Sequence, residues 1–215
     1  MTAKIAGDGS IFLTERASAE TDAAGNIQIW NKNTAGGQLY VTDDLGADQP
    51  IYTATTLPTS QYQTVMGTPA ATTSGASIDF TGIPSGVKEV KVLLNGVSTN
   101  GTSLICVQIG DSGGIEASGY LSGAFRHDTA ATATAGFISS ATTLAANFYD
   151  AVFTLALQSS SSNTWVNESG MYCDGDTFTG SGAKDLSAEL TQIRLTTVGG
   201  SNTFDAGSVN IQHSF

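Results

Sequence analysis

Charge is scarce in this 215-residue sequence: only 13% of its residues are Asp, Glu, Lys or Arg. Eight basic residues against 19 acidic ones leave a formal net charge of −11. So few cations do not make the basic face that a phosphate backbone requires, which argues against nucleic acid as a partner. The same balance gives no attraction to anionic lipid. The acids are scattered, and their excess keeps a weakly charged surface soluble. No apolar run approaches the ~20 residues needed to cross a bilayer, so no membrane insertion is expected. The opening Met1-Thr2-Ala3-Lys4-Ile5-Ala6-Gly7-Asp8-Gly9 lacks the apolar stretch of a signal peptide. Synthesis in a cytoplasm without an export signal is the expectation. Cysteine is nearly absent. Cys106 and Cys173 have no second Cys nearby, which removes zinc ribbons and redox pairs. Cys106 lies in the apolar run Leu104-Ile105-Cys106-Val107, where a free buried thiol is the default. The spacing alone does not choose between that state and a long-range disulfide.

What is abundant is Gly, Ser, Thr and Ala, and the 40% hydrophobic content leans on Ala. Neither charge runs nor a shortage of β-branched residues marks the chain as disordered. Strand patterns dominate. Asn26-Ile27-Gln28-Ile29-Trp30 alternates polar and apolar residues, Gln38-Leu39-Tyr40-Val41-Thr42 is a second strand, and the Gly-containing segment between them is turn chemistry. Together they predict a β-hairpin closed by Asp43-Asp44-Leu45-Gly46-Ala47-Asp48. A lone hairpin is marginal in water, so this module needs a partner surface, most simply its own copies.

A Thr/Ala/Pro-rich stretch follows, and from Ala76 the strand signals become dense. Ser77–Phe80, Val87–Leu94, Ser103–Ile109, Phe148–Leu157, Asn163–Asn167, Glu189–Thr197 and Ser208–His213 are strand candidates, with Asn95-Gly96 a hairpin-type signal. Ala130–Ala146, within the longest strand-free stretch from about Ser122, reads as a loop or a poor helix, either an inert excursion or a contact loop. The expected fold is all-β: a small N-terminal β-hairpin module over residues 1–52, a connector over 53–75, and an antiparallel, jelly-roll-like β-sandwich over 76–215.

Few motifs suggest chemistry. Gly110-Asp111-Ser112-Gly113-Gly114 copies the string around a serine-protease nucleophile. That chemistry needs a His base and an Asp to orient it. Both histidines, His127 and His213, follow the Ser, and nothing around either supports the role. The string is read as a Gly-rich turn in which Asp111 and Ser112 hydrogen-bond the backbone. The acidic turns at Asp43-Asp44 with Asp48, and at Asp174 with Asp176, lack the ligand spacing of a calcium loop. A weak ion at Asp174-Gly175-Asp176 ranks below an Asx-type turn. Trp30 and Trp165 sit in strand patterns and are read as packing residues before sugar platforms. No spacing singles out a pair of catalytic carboxylates. No catalytic, metal or cofactor-binding residue is assigned, no cofactor is expected, and no receptor-binding residue is singled out.

Two blocks of the sequence resemble segments of bacteriophage and prophage tail-fibre-like proteins. One comprises Phe80-Thr81-Gly82-Ile83-Pro84-Ser85-Gly86-Val87-Lys88, Leu94-Asn95-Gly96-Val97-Ser98-Thr99-Asn100-Gly101-Thr102-Ser103, Val107–Glu116, Gly119-Tyr120, Asn163-Thr164-Trp165-Val166, Ile193–Thr197 and Thr203–Ile211. The other comprises Gly25-Asn26-Ile27-Gln28-Ile29-Trp30-Asn31-Lys32-Asn33-Thr34 and Leu39–Gly46. The resemblance implies a virion protein, a fibre or tail tip, without catalytic residues to carry over. Its N-terminal module would join other virion proteins, the chain would form a homotrimer, and the C-terminal domain would meet a host glycan or protein. The chain is short for a long fibre. A purely structural virion part, such as a capsid decoration, head fibre or tail adaptor, is the alternative, and a virion-borne depolymerase is the third reading.

Overall fold

The computed structural model describes residues 64–145 and 147–215 throughout, and six short strands among the first 63 residues. The chain divides into two units, Met1–Gln61 and Tyr62–Phe215.

In the first unit β1 (Lys4–Ile5) pairs antiparallel with β2 (Ile11–Phe12). A separate sheet runs β3 (Glu15–Arg16), β4 (Gln28–Lys32), β5 (Gln38–Thr42) and β6 (Asp48–Pro50). β4 and β5 are the expected antiparallel partners, with Ile29 opposite Val41 and Trp30 opposite Tyr40. The β3–β4 pairing is parallel. Ile29 is exposed, while Tyr40 and Val41 are half-buried. The Trp30 side chain and the Asp43-Asp44 turn lie outside the described residues.

The second unit contains only strands, turns and loops among its described residues. Its first strands are β7 (Thr64–Met66), β8 (Ala70–Ala71), β9 (Ile78–Thr81), β10 (Glu89–Thr99), β11 (Ile105–Asp111), β12 (Gly114–Ile115) and β13 (Leu121–Arg126). β14 (Thr129–Ala133), β15 (Phe137–Ile138), β16 (Tyr149–Ser159), β17 (Thr164–Cys173), β18 (Asp176–Asp185), β19 (Gln192–Thr197) and β20 (Phe204–Ser214) complete it. They form a nine-stranded sheet, ordered β14-β13-β18-β17-β16-β10-β20-β7 with β8 also on β20. The five-stranded sheet is β12-β11-β19-β9 with β15 on β11. Every pairing within both sheets is antiparallel. The chain passes repeatedly from one sheet to the other, which interlocks them as a β-sandwich.

Alternation explains the core. Val90, Val92 and Leu94 on β10 and Phe153 and Leu155 on β16 point inward and meet Ile193 and Leu195 of β19 in one cluster. Burying each such side chain contributes about 1.5–3 kcal/mol. β11 is buried at all seven positions. Ile105, Val107 and Ile109 join the main core, while Cys106 joins a second cluster with Ala124, Ala133 and Ile138. A strand packed on both faces is what a continuous apolar run encodes.

Three sequence-based expectations need correction. The residues from 122 to 146 are not one loop: they carry β13, β14 and β15. Their side chains are mostly small or hydroxylated, and edge pairing with β18 overrides a weak intrinsic preference. The connector ends earlier than residue 75, because β7 and β8 pair with β20 and Thr72 is fully buried. Asn95-Gly96 is no hairpin turn but a bulge inside β10, where the register shifts against both neighbours. There Gly96 has φ 55° and Gly207 has φ 88°. A Cβ on Gly207 would lie 2.3 Å from the Gly96 carbonyl oxygen.

Candidate functional site

Ser112 lies exposed in the turn between β11 and β12. The bonding there belongs to Asp111. Its carboxylate accepts from the Gly113 amide at 2.7 Å and from the Ser187 hydroxyl at 2.5 Å, and its carbonyl accepts from Gln192 Nε2 at 2.8 Å. The Ser187 hydroxyl and the Gly113 amide hold the Asp111 carboxyl below the usual carboxylate range. His127 stands in the β13–β14 loop, 3.4 Å from Asp128, and His213 lies on β20 with its ring edge-on to Phe215. Among the described residues neither His is hydrogen-bonded to Ser112. The motif is a turn whose anchor is Asp111.

The thiols are equally unreactive in setting. Both cysteines are free and buried. Burial pushes the Cys106 thiol up to about 12, so no thiolate is available at neutral pH. Trp165 is in the core. Asp174-Gly175 is the two-residue loop of the β17–β18 hairpin, with φ of 49° and 88°, the doubly left-handed geometry that Asp-Gly suits. Asp176 pairs with Arg126 across the sheet, and Arg126 also lies over the Phe178 ring. Among the described residues no three His, Cys, Asp or Glu side chains cluster as metal ligands would.

What stands out is the outer face of the nine-stranded sheet. Period-two alternation sends the core residues of β16, β17 and β18 inward and an exposed set outward. Cross-strand register arranges that outward set in rows. One row runs Leu121, Ala183, Val166, Ala156. The next runs Gly123, Ser181, Glu168, Thr154. A third runs Phe125, Thr179, Gly170, Val152, and a fourth pairs Thr177, Tyr172 and Asp150. Leu121 is 75% exposed, Tyr172 51%, and Phe125, Val152 and Val166 are exposed as well. Large apolar groups thus stand among hydroxyls, on a face that the strands of the second unit leave uncovered.

Within this face the positions around Gly170 form a shallow hollow of about 790 Å³, bordered by Asp150, Val152, Tyr172, Thr177 and Thr179. A Cβ placed on Gly170 would meet nothing within 4 Å. One oxygen of Asp150 accepts the Gly96 amide at 2.8 Å, which fixes the carboxylate at the rim. Glu168, two residues before Gly170, is exposed. None of these outward residues was singled out by motif. The usable signal is the alternation of Val166, Glu168, Gly170 and Tyr172 along β17, which only the full length of that strand makes visible.

No protein-family model matches the sequence, and neither a curated protein nor a solved structure matches it.

Proposed function

We propose that this chain is a non-catalytic virion protein of a bacteriophage, a fibre or tail-tip component that attaches the particle to its host. Residues 1–61 would join the particle and neighbouring copies, in a homotrimer, and the sandwich would meet the host surface. The observation that supports this best is the exposed outer face of the nine-stranded sheet, mixed in aromatic, aliphatic and hydroxyl groups, on a domain that completes its own core. Such a face offers adaptable, individually weak contacts, which several copies on one particle multiply into avidity. The resemblance of the sequence to tail-fibre-like proteins points the same way. Residues 62–215, expressed alone, should be soluble and folded, compete with intact phage for host cells, and fail to join particles. If that domain blocks no infection while the full chain decorates virions normally, the attachment reading falls.

A structural virion component is the second reading, and one observation favours it. Leu121 and Phe125 stand exposed on β13, beside the edge strand β14, whose five residues are all Thr or Ala. An uncharged edge of this kind invites pairing with a neighbouring chain. Light scattering decides the assembly: three chains per particle support the trimer, and a compact monomer at micromolar concentration counts against it.

A further inference from the structure

We propose that the hollow over Gly170 binds one ring of a neutral polysaccharide, seated against Tyr172 and held through its hydroxyls by Asp150 and Glu168. The inference rests on the attachment reading and names the ligand class of that face.

Gly170 is the starting point. A glycine inside a strand weakens it and commonly marks a close approach of backbone or ligand. Two other strand glycines are explained by their neighbours. A Cβ on Gly180 would lie 2.3 Å from the Ile138 carbonyl oxygen, and one on Gly182 would lie 2.4 Å from that of Leu121. Gly170 has no such reason, since the space above it is open.

The gap has the width of a ring. Thr179 and Val152 flank Gly170 on the adjacent strands, and two strand spacings separate them by roughly 10 Å. Along β17, Glu168 and Tyr172 bracket the gap four residues apart, roughly 13 Å. The floor is bare backbone. Tyr172 is a half-exposed aromatic wall on which the C–H face of a pyranose can stack. Asp150 is the direct partner of Tyr172, and Thr177 faces Tyr172 from the other side. Carboxylates accept hydrogen bonds from sugar hydroxyls about twice as strongly as neutral groups do.

The charge around the hollow chooses among ligands. Asp150 borders it, Glu168 stands one row away on the same face, and among the described residues no cation lines it. The nearest row cation, Lys91, is two strands from Glu168 and 3.6 Å from Glu89. Uronates, sialic acids and phosphorylated glycans are repelled by this arrangement, whereas neutral hexose polymers are not. A second copy of the same face would set carboxylate against carboxylate, which disfavours self-association through it.

Electrophoresis of the full chain through gels containing dextran, galactomannan or xylan, with polygalacturonate as the anionic control, tests the site. Retardation is expected in at least one neutral gel and not in polygalacturonate. Gly170→Val fills the hollow in open space with a good strand former, and Tyr172→Ala removes the wall. Each should weaken retardation by about tenfold or more with the melting temperature unchanged. No retardation in any neutral gel, retardation of both variants equal to that of the parent chain, or stronger retardation in polygalacturonate overturns the proposal. Host-cell competition separates its failure from that of the attachment reading. If the parent chain and Gly170→Val compete equally well, the sugar site is wrong and attachment stands. If neither competes while Gly170→Val alone loses retardation, the site stands and attachment falls.

Discussion

The two halves of the nine-stranded sheet bury opposite kinds of side chain on one inner face. Around β10, β16 and β20 the inward residues are large: Val92, Leu94, Phe153, Leu155, Val209 and Ile211. Around β13, the middle of β17 and the part of β18 beyond Phe178 they are small or polar: Ser122, Ala124, Gly180, Asn167 and Ser169. The first half is held by the apolar volume it removes from water. The second is held by how closely its backbone approaches β15. The Ile138 amide donates to the Ser122 hydroxyl at 2.9 Å, and Gly180 leaves no room for even a methyl group beneath the Ile138 carbonyl. One sheet therefore uses side-chain volume in one half and the lack of it in the other, and both specify a unique packing.

The sharpest way to break this contrast is to reverse it on each side. Phe153→Ala in the first half should cost about 3–5 kcal/mol through lost burial and the cavity left behind. Gly180→Ala in the second half should cost about 2–3 kcal/mol, because the added methyl meets backbone and not a flexible side chain. Urea denaturation of residues 62–215 measures both. A loss below about 0.5 kcal/mol for Gly180→Ala would mean that the small half is loosely packed, and the contrast would fail.

The five-stranded sheet sharpens the comparison, because Asp111 supplies there a polar anchor that apolar volume does not. Asp111→Ala should cost about 2–3 kcal/mol, since charged hydrogen bonds to Gly113 and Ser187 are lost together. The pH dependence carries its own signature. The folded-state carboxyl titrates below its unfolded value, through the Ser187 hydroxyl first and the Gly113 amide next. Its contribution is therefore fully present above the unfolded carboxylate range and is lost as pH falls through the folded value. Burial lowers His213 as well, so its contribution is present above the ordinary histidine range and fades on acidification. Urea midpoints between neutral pH and about pH 3 should fall for the parent chain, and the steepest acid limb should be missing in Asp111→Ala. Equal limbs in both would remove Asp111 from this role.

This division also explains which elements could be read from the residues. Val87–Leu94, Ser103–Ile109, Phe148–Leu157, Glu189–Thr197 and Ser208–His213 are β-branched or apolar, and each overlaps a strand of the structure. β13, β14 and β18 read Leu-Ser-Gly-Ala-Phe-Arg, Thr-Ala-Ala-Thr-Ala and Asp-Thr-Phe-Thr-Gly-Ser-Gly-Ala-Lys-Asp. Small residues carry little intrinsic strand preference, so pairing with neighbours decides their state. The candidate site was hidden for the same reason. Asn163–Asn167 is legible as strand, but β17 continues to Cys173 through Glu168-Ser169-Gly170-Met171-Tyr172, a stretch without a β-branched residue. Gly170 and Tyr172 share a face only once that continuation is known. Asn95-Gly96 misleads in the opposite direction, since a dipeptide that favours left-handed backbone serves a bulge as readily as a turn.

The smallest effect is expected at the position with the strongest motif. Ser112 shares its turn with Asp111, yet Asp111 makes the bonds and Ser112 is exposed. Ser112→Ala should then change stability by less than about 0.5 kcal/mol, as exposed substitutions away from special geometry do. The neighbouring Asp111→Ala should exceed it severalfold, so a single pair of variants ranks the two residues. A fluorophosphonate probe should leave Ser112 unlabelled, and on the proposed virion reading the infectivity of particles carrying Ser112→Ala should match the parent. Covalent labelling at Ser112 would require an activating base that neither His127 in its exposed loop nor His213 on β20 supplies in this structure. That result would force the turn reading to be abandoned.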